Sequence, residues 1–146
     1  MDNEEYVRQW IDIADKDLAL AEHVAATMWP TPYELVCFHC QQSAEKNLKA
    51  FLVLHDQEPP KIHDLAELSK LCENLDSLFS QILERCEILT YYGVQPRYPN
   101  EKHIEKEEMT RSLEHARAIK AFVQQKMPEL FRDNDENHPK EDGLIT

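Results

Sequence analysis

Phe38-His39-Cys40-Gln41-Gln42-Ser43-Ala44-Glu45-Lys46-Asn47-Leu48-Lys49-Ala50 is the stretch on which the reading of the fold turns. Its apolar residues recur at helical spacing, yet an amide, a carboxylate and two ammonium groups cut a polar band through it. Gln41, Glu45 and Lys49 follow at four-residue steps, so they share one side of a helix. Glu45 and Lys49 form an i,i+4 pair in the favoured order, with the acid nearer the N-terminus. One reading is a solvated stripe worth a few tenths of a kcal/mol. A second is a polar network where two helices or two subunits meet, because Phe38, Ala44 and Leu48 flank the band closely. A third is direct contact with a ligand.

Outward from this helix the pattern stays helical. Val7, Trp10, Ala14, Leu18, Ala21 and Ala25 fall on one face, which predicts a first helix from about residue 3 to 27. Trp29-Pro30-Thr31-Pro32 ends it. Thr31 is placed as an N-cap, with Pro32 in the first turn and Glu34 completing a capping box, so the second helix is expected from about Pro32 to His55. Pro59 and Pro60 stop it. A short third helix carries Leu65, Leu68 and Leu71, capped by Asp64 or His63. A fourth begins at Asp76-Ser77, carries Leu78, Ile82 and Ile88, and runs into Tyr91-Tyr92 with Gly93 as its stop. Residues from Val94 to about Ile104, with Pro96 and Pro99, read as an irregular connection. A fifth helix follows, with Met109, Leu113, Ala116, Ile119 and Val123 on one stripe. No internal repeat and no alternating strand pattern appears. The expectation is an all-α, up-and-down antiparallel bundle of four to five helices.

Composition narrows the possibilities further. At 146 residues the chain suits one domain, and only two glycines with 30% charged residues favour helices over turn-rich sheets. Residues 1–128 are expected to form the bundle. Residues 129–146, with six acids against Arg132 and Lys140, read as an acidic, disordered tail. A net charge of −12 disfavours indiscriminate binding to nucleic acid or anionic membrane, so any RNA contact must be local. No stretch approaches the roughly 18 apolar residues of a membrane span, and the acidic N-terminus lacks the order of a signal peptide. A cytoplasmic address is expected, with Cys37, Cys40, Cys72 and Cys86 reduced. Cys37 and Cys40 form a C-x-x-C inside a helix rather than at its start, which suits buried packing better than redox chemistry. His23, His39, His55, His115 and His138 show no metal-ligand spacing, so no metal and no cofactor are expected.

Two further clusters could carry chemistry. Arg97-Tyr98-Pro99-Asn100-Glu101-Lys102-His103 is an Arg-x5-His. A guanidinium can hold a phosphodiester by paired hydrogen bonds and offset charge in the transition state. An imidazole titrating near neutrality can take a proton from a 2′-hydroxyl or return one to the leaving oxygen. The plainer reading makes Arg97 a surface loop residue and His103 part of a solvated first turn. In Lys61-Ile62-His63-Asp64, His63 could serve in acid–base work, whereas helix capping explains the same residues more simply.

Taken in order, these pieces resemble the HEPN domain (higher eukaryote and prokaryote nucleotide-binding). Trp10 through Asp17-Leu18 and Ala21 resemble its first helix, and Phe38 to Ala50 its second. His63-Asp64-Leu65, Tyr91-Tyr92 and Arg97-Tyr98-Pro99 follow in the family's order, so the likeness covers about residues 5–125. It implies an antiparallel bundle that forms a homodimer and binds nucleotide or RNA at the subunit interface. It also implies a small nucleotidyltransferase partner and a toxin–antitoxin or defence setting. In catalytic members an Arg-x4–6-His from each subunit makes a metal-independent ribonuclease, a pattern that Arg97 and His103 fit. Active members usually carry a small polar residue after the arginine, whereas Tyr98-Pro99 stands here, the Arg-Tyr-Pro variant. The resemblance places Gln41, Gln42, Glu45, Lys46, Lys49, His63, Tyr92 and Tyr98 at the binding surface or subunit interface. From another class, the alternative is a non-catalytic helical interaction and dimerisation module.

Overall fold

The computed structural model describes residues 2–93 and 103–131. Five α-helices follow one another: α1 (Asn3–Thr27), α2 (Tyr33–Leu54), α3 (Leu65–Leu75), α4 (Leu83–Thr90) and α5 (Lys106–Gln125). A 3-10 helix, Ser77–Ile82, precedes α4, and no strand occurs among the described residues. The expected all-helical bundle is therefore what the chain forms.

α2 is the central element, packed along α1 and α5 and touched by α3 and α4. Position explains its composition. Fourteen of its residues are buried, five of them polar: Gln41, Ser43, Glu45, Asn47 and Lys49. A helix enclosed on several sides has no wet face to which such residues can turn, so each needs a partner inside the molecule. α1 is one-sided by contrast. It buries Val7, Ile11, Ala14, Leu18 and Ala21, while Trp10 and Ala25, expected on the same stripe, are only partly covered. Ala14, Ala44, Ala50 and Ala116 are wholly buried, and side chains this small let the helices approach closely.

Local signals decide the helix ends. Asp2 caps α1 by accepting from Glu5 N at 2.8 Å. Asp64, not His63, caps α3, accepting from Ala66 N at 2.9 Å and Glu67 N at 3.2 Å. The capping box expected at Thr31 does not form. Pro32 occupies the N-cap with no side-chain bond, and the Thr31 hydroxyl donates backward to the Met28 carbonyl at 2.8 Å. A box forms instead at α5, where the Glu108 carboxylate accepts from Glu105 N at 2.9 Å. The fourth helix starts at Ser77 as expected but in 3-10 form, after Asp76 accepts from Leu78 N at 3.0 Å, and becomes α-helical only at Leu83. Leu78 and Ile88, expected inside, are exposed, and Phe79 and Cys86 are buried instead. The tighter winding advances each residue further round the axis than an α-helix does, which shifts the apolar face.

Past α5 the chain stays packed through Phe131: Met127 and Leu130 are buried, and Arg8 donates to the Leu130 carbonyl at 3.1 Å. The rest of the acidic tail, residues 132–146, lies outside the described residues, as does 94–102.

Candidate functional site

The polar band of α2 is a connected network. Lys46 Nζ donates to Gln42 Oε1, and Gln42 Nε2 donates to Gln41 Oε1 at 2.7 Å. Gln41 Nε2 in turn donates to the His63 carbonyl at 2.9 Å and lies 3.5 Å from Glu45 Oε1. Glu45 receives His63 Nδ1 at 2.9 Å on one oxygen and Lys49 Nζ at 3.2 Å on the other. Lys49 also stands 5.7 Å from the centroid of the Trp10 ring, within cation–π range. Glu45 and Lys49 side chains are 3% and 7% exposed. The solvated-stripe reading is therefore excluded for these two residues.

Two extensions anchor the band to the rest of the bundle. At its N-terminal end, Asp17 of α1 pairs with His39 Nδ1 at 3.2 Å and lies 3.6 Å from Lys46 Nζ. Along the adjoining side, the Ser43 hydroxyl donates to the Ala14 carbonyl at 2.8 Å, and Gln124 of α5 donates to Asp15 at 3.0 Å and Asn47 at 3.3 Å. Sequence reasoning singled out neither Ser43 nor Asn47 as functional. Their signal was available, since two polar residues four apart on an otherwise apolar face must find partners. The Glu45–His63 pair had none, because eighteen residues and a helix end separate its members.

Of the other expected site residues, Tyr92 donates to Glu108 at 2.8 Å. Burial, followed by that bond to a carboxylate, pushes its phenol above the ordinary tyrosine range. His103 is 81% exposed, and its described partner is Glu105, at 3.6 Å. Arg97 and Tyr98 lie outside the described residues, so the Arg97–His103 geometry does too. Arg85 and His115, paired at 2.9 Å between α4 and α5, form a contact the sequence did not suggest. Burial, and then the Arg85 charge, hold the His115 imidazole below its usual value.

All four thiols are free and buried. Burial raises each above the ordinary thiol range, Cys37 to about 11 and Cys86 to about 12. That is the opposite of what a reactive C-x-x-C needs. Among the described residues no group of three His, Cys, Asp or Glu side chains converges to hold a metal, and no helix is long and apolar enough to cross a membrane. Near the α1–α2 corner an apolar groove of about 150 Å³ is lined by Leu20, Val24, Met28, Leu35 and His39. Leu20, Met28 and Trp29 are exposed there, Trp29 at 86%.

Similarity to known proteins fits this architecture. The model of the HEPN domain matches residues 7–126. The crystal structure of TT1696 from Thermus thermophilus superposes with a TM-score of 0.69 at 26% identity, covering 82% of this chain and 97% of that one. That of ST0689, an archaeal HEPN homologue, superposes with a TM-score of 0.64 at 25% identity, covering 82% and 96%. No curated protein sequence matches the chain.

Proposed function

The chain belongs to the HEPN domain family, and from that premise we propose that it binds nucleotide or RNA at the interface of a homodimer. Its setting on this reading is a toxin–antitoxin or defence system with a small nucleotidyltransferase partner, in the cytoplasm. One observation carries the binding assignment. The α2 network does not close within the core but ends at a fixed, exposed imidazole, His63 at 71% side-chain exposure. A purely internal network would have no reason to hold a solvent-facing ring.

If the protein is catalytic, Arg97 holds the scissile phosphate and His103 is the acid or base, with no metal required. On this reading Gln42, Lys46, His63, Tyr92 and Tyr98 contribute to binding. Cleavage of RNA in EDTA by wild type, lost in both Arg97→Ala and His103→Ala, with a dimeric mass by light scattering, is the expected result. A well-folded dimer that cleaves nothing removes the ribonuclease assignment, and a monomer removes the interface.

A second reading is the non-catalytic interaction module. The observation in its favour is that Gln41, Glu45 and Lys49 are buried and mutually paired, as residues holding helices together would be. A folded dimer that binds neither nucleotide nor RNA is the outcome that selects it.

A further inference from the structure

We propose that His63 is the residue by which this protein distinguishes ribose from deoxyribose, with Nε2 accepting a hydrogen bond from a ribose 2′-hydroxyl. The inference rests on the reading that the protein binds nucleotide or RNA, and adds to it the atom that selects the sugar.

His63 is held at both ends. Gln41 Nε2 donates to its backbone carbonyl at 2.9 Å, and the Thr90 hydroxyl reaches the same oxygen at 3.4 Å. Thr90 is itself fixed by accepting from Leu65 N at 3.0 Å. At the other end Glu45 Oε1 lies 2.9 Å from ring Nδ1. An exposed side chain ordinarily keeps its rotamer freedom, and immobilising one costs entropy that folding alone does not require. Capping cannot be the reason for it, because Asp64 caps α3. Nor does Glu45 depend on it for neutralisation, since Lys49 lies 3.2 Å from its other oxygen and is almost as buried.

The same contact sets the tautomer. An ionised carboxylate only accepts hydrogen bonds, so Nδ1 carries the hydrogen and neutral His63 presents a lone pair at Nε2. Nε2 has no partner among the described residues, and the side chain is 71% exposed. An acceptor of this kind repels phosphate oxygens, as does a chain of net charge −12. It suits a hydroxyl donor instead. Of the donors a nucleic acid offers, the 2′-hydroxyl is the one that separates RNA from DNA. Glu45 is then a positioning residue, acting through the ring it orients, and the turn that follows Thr90 brings Tyr91 and Gly93 to the same end of the bundle.

The test compares the full-length protein with His63→Asn, whose amide can donate to Glu45 as Nδ1 does while leaving nothing in the place of Nε2. Binding of a short mixed-sequence oligoribonucleotide and of the oligodeoxyribonucleotide of the same sequence is measured in one buffer at about pH 8. Wild type should prefer the oligoribonucleotide by about tenfold, in keeping with one hydrogen bond. His63→Asn should lose that preference with its melting temperature kept. Preference retained in His63→Asn, or equal binding of both strands by wild type, overturns the assignment and leaves nucleotide or RNA binding standing. Wild type that binds neither strand overturns that broader reading and the assignment with it. The tautomer provides a readout independent of folding in the variant: long-range ¹H–¹⁵N spectra of wild type should show His63 protonated at Nδ1, and an Nε2–H form contradicts the proposal.

Discussion

Glu45 shows how strongly one residue's meaning depends on what surrounds it. On an isolated helix its pair with Lys49 is worth a few tenths of a kcal/mol. In the folded protein both side chains are more than nine-tenths buried, so removing one leaves an uncompensated charge in the interior. Glu45→Ala should therefore cost about 3 kcal/mol, measured by urea unfolding, because Lys49 loses its counter-charge and His63 its anchor. Glu45→Leu with Lys49→Met should recover most of that loss, since apolar side chains of similar size leave nothing unpaired. A double variant no more stable than Glu45→Ala would show that the wider network, rather than the charge pair, carries the stability. The cysteines illustrate the same dependence. A C-x-x-C inside a helix reads as buried packing, and burial in α2 does raise both thiols.

At the scale of elements, the α1–α2 pair is set by small residues. The one-carbon side chain of Ser43 reaches the Ala14 carbonyl at 2.8 Å, which requires the two backbones to lie close. Ala14 is itself completely buried, so a larger side chain there has no space to enter. Ala14→Leu should destabilise by about 1–3 kcal/mol through overpacking, seen as a lower midpoint in thermal or urea unfolding. An unchanged midpoint would mean that α1 can move away from α2 at little cost. α1, with one wet face and one dry, was legible to within a residue from apolar spacing alone. The 3-10 start of the fourth helix was not, because nothing in Ser77-Leu78-Phe79-Ser80-Gln81-Ile82 distinguishes it from an ordinary α-helical turn.

For the whole molecule, closure depends on contacts between distant segments. Lys126, after the end of α5, pairs with Asp76 at 2.9 Å, joining the last long helix to the junction after α3. The hydrogen bond from Lys126, and then that from Leu78 N, hold the Asp76 carboxyl below its usual value. A carboxylate whose folded pKa is depressed adds stability above its unfolded value near 3.9, and that stability is lost as pH falls through the folded value. Lys126→Met should accordingly lower stability at neutral pH and bring acid unfolding on at a higher pH, the difference from wild type vanishing below the folded value. The pH midpoint of helix loss by circular dichroism measures it, and a midpoint at or below that of wild type would contradict the attribution. A comparable tie, Arg8 to the Leu130 carbonyl, holds the chain past α5 against α1, with Leu130 buried two residues beyond the position where the bundle was expected to end.

The all-helical bundle, the extents of α1 and α2, a cap at His63 or Asp64 and the stripe of α5 were determined by the sequence itself, because periodicity and capping act within a turn or two of one helix. Family membership was legible for the same reason, resting on motifs in a fixed order. Which face of the polar band meets water was decided only by the tertiary structure. Gln41, Glu45 and Lys49 are equally compatible with a wet stripe until α1, α3 and α5 close around α2. The Glu45–His63 pair, Asp17 beside Lys46, and Arg85 beside His115 were likewise settled in three dimensions. Each joins residues from different elements, and local spacing carries no information about which elements become neighbours.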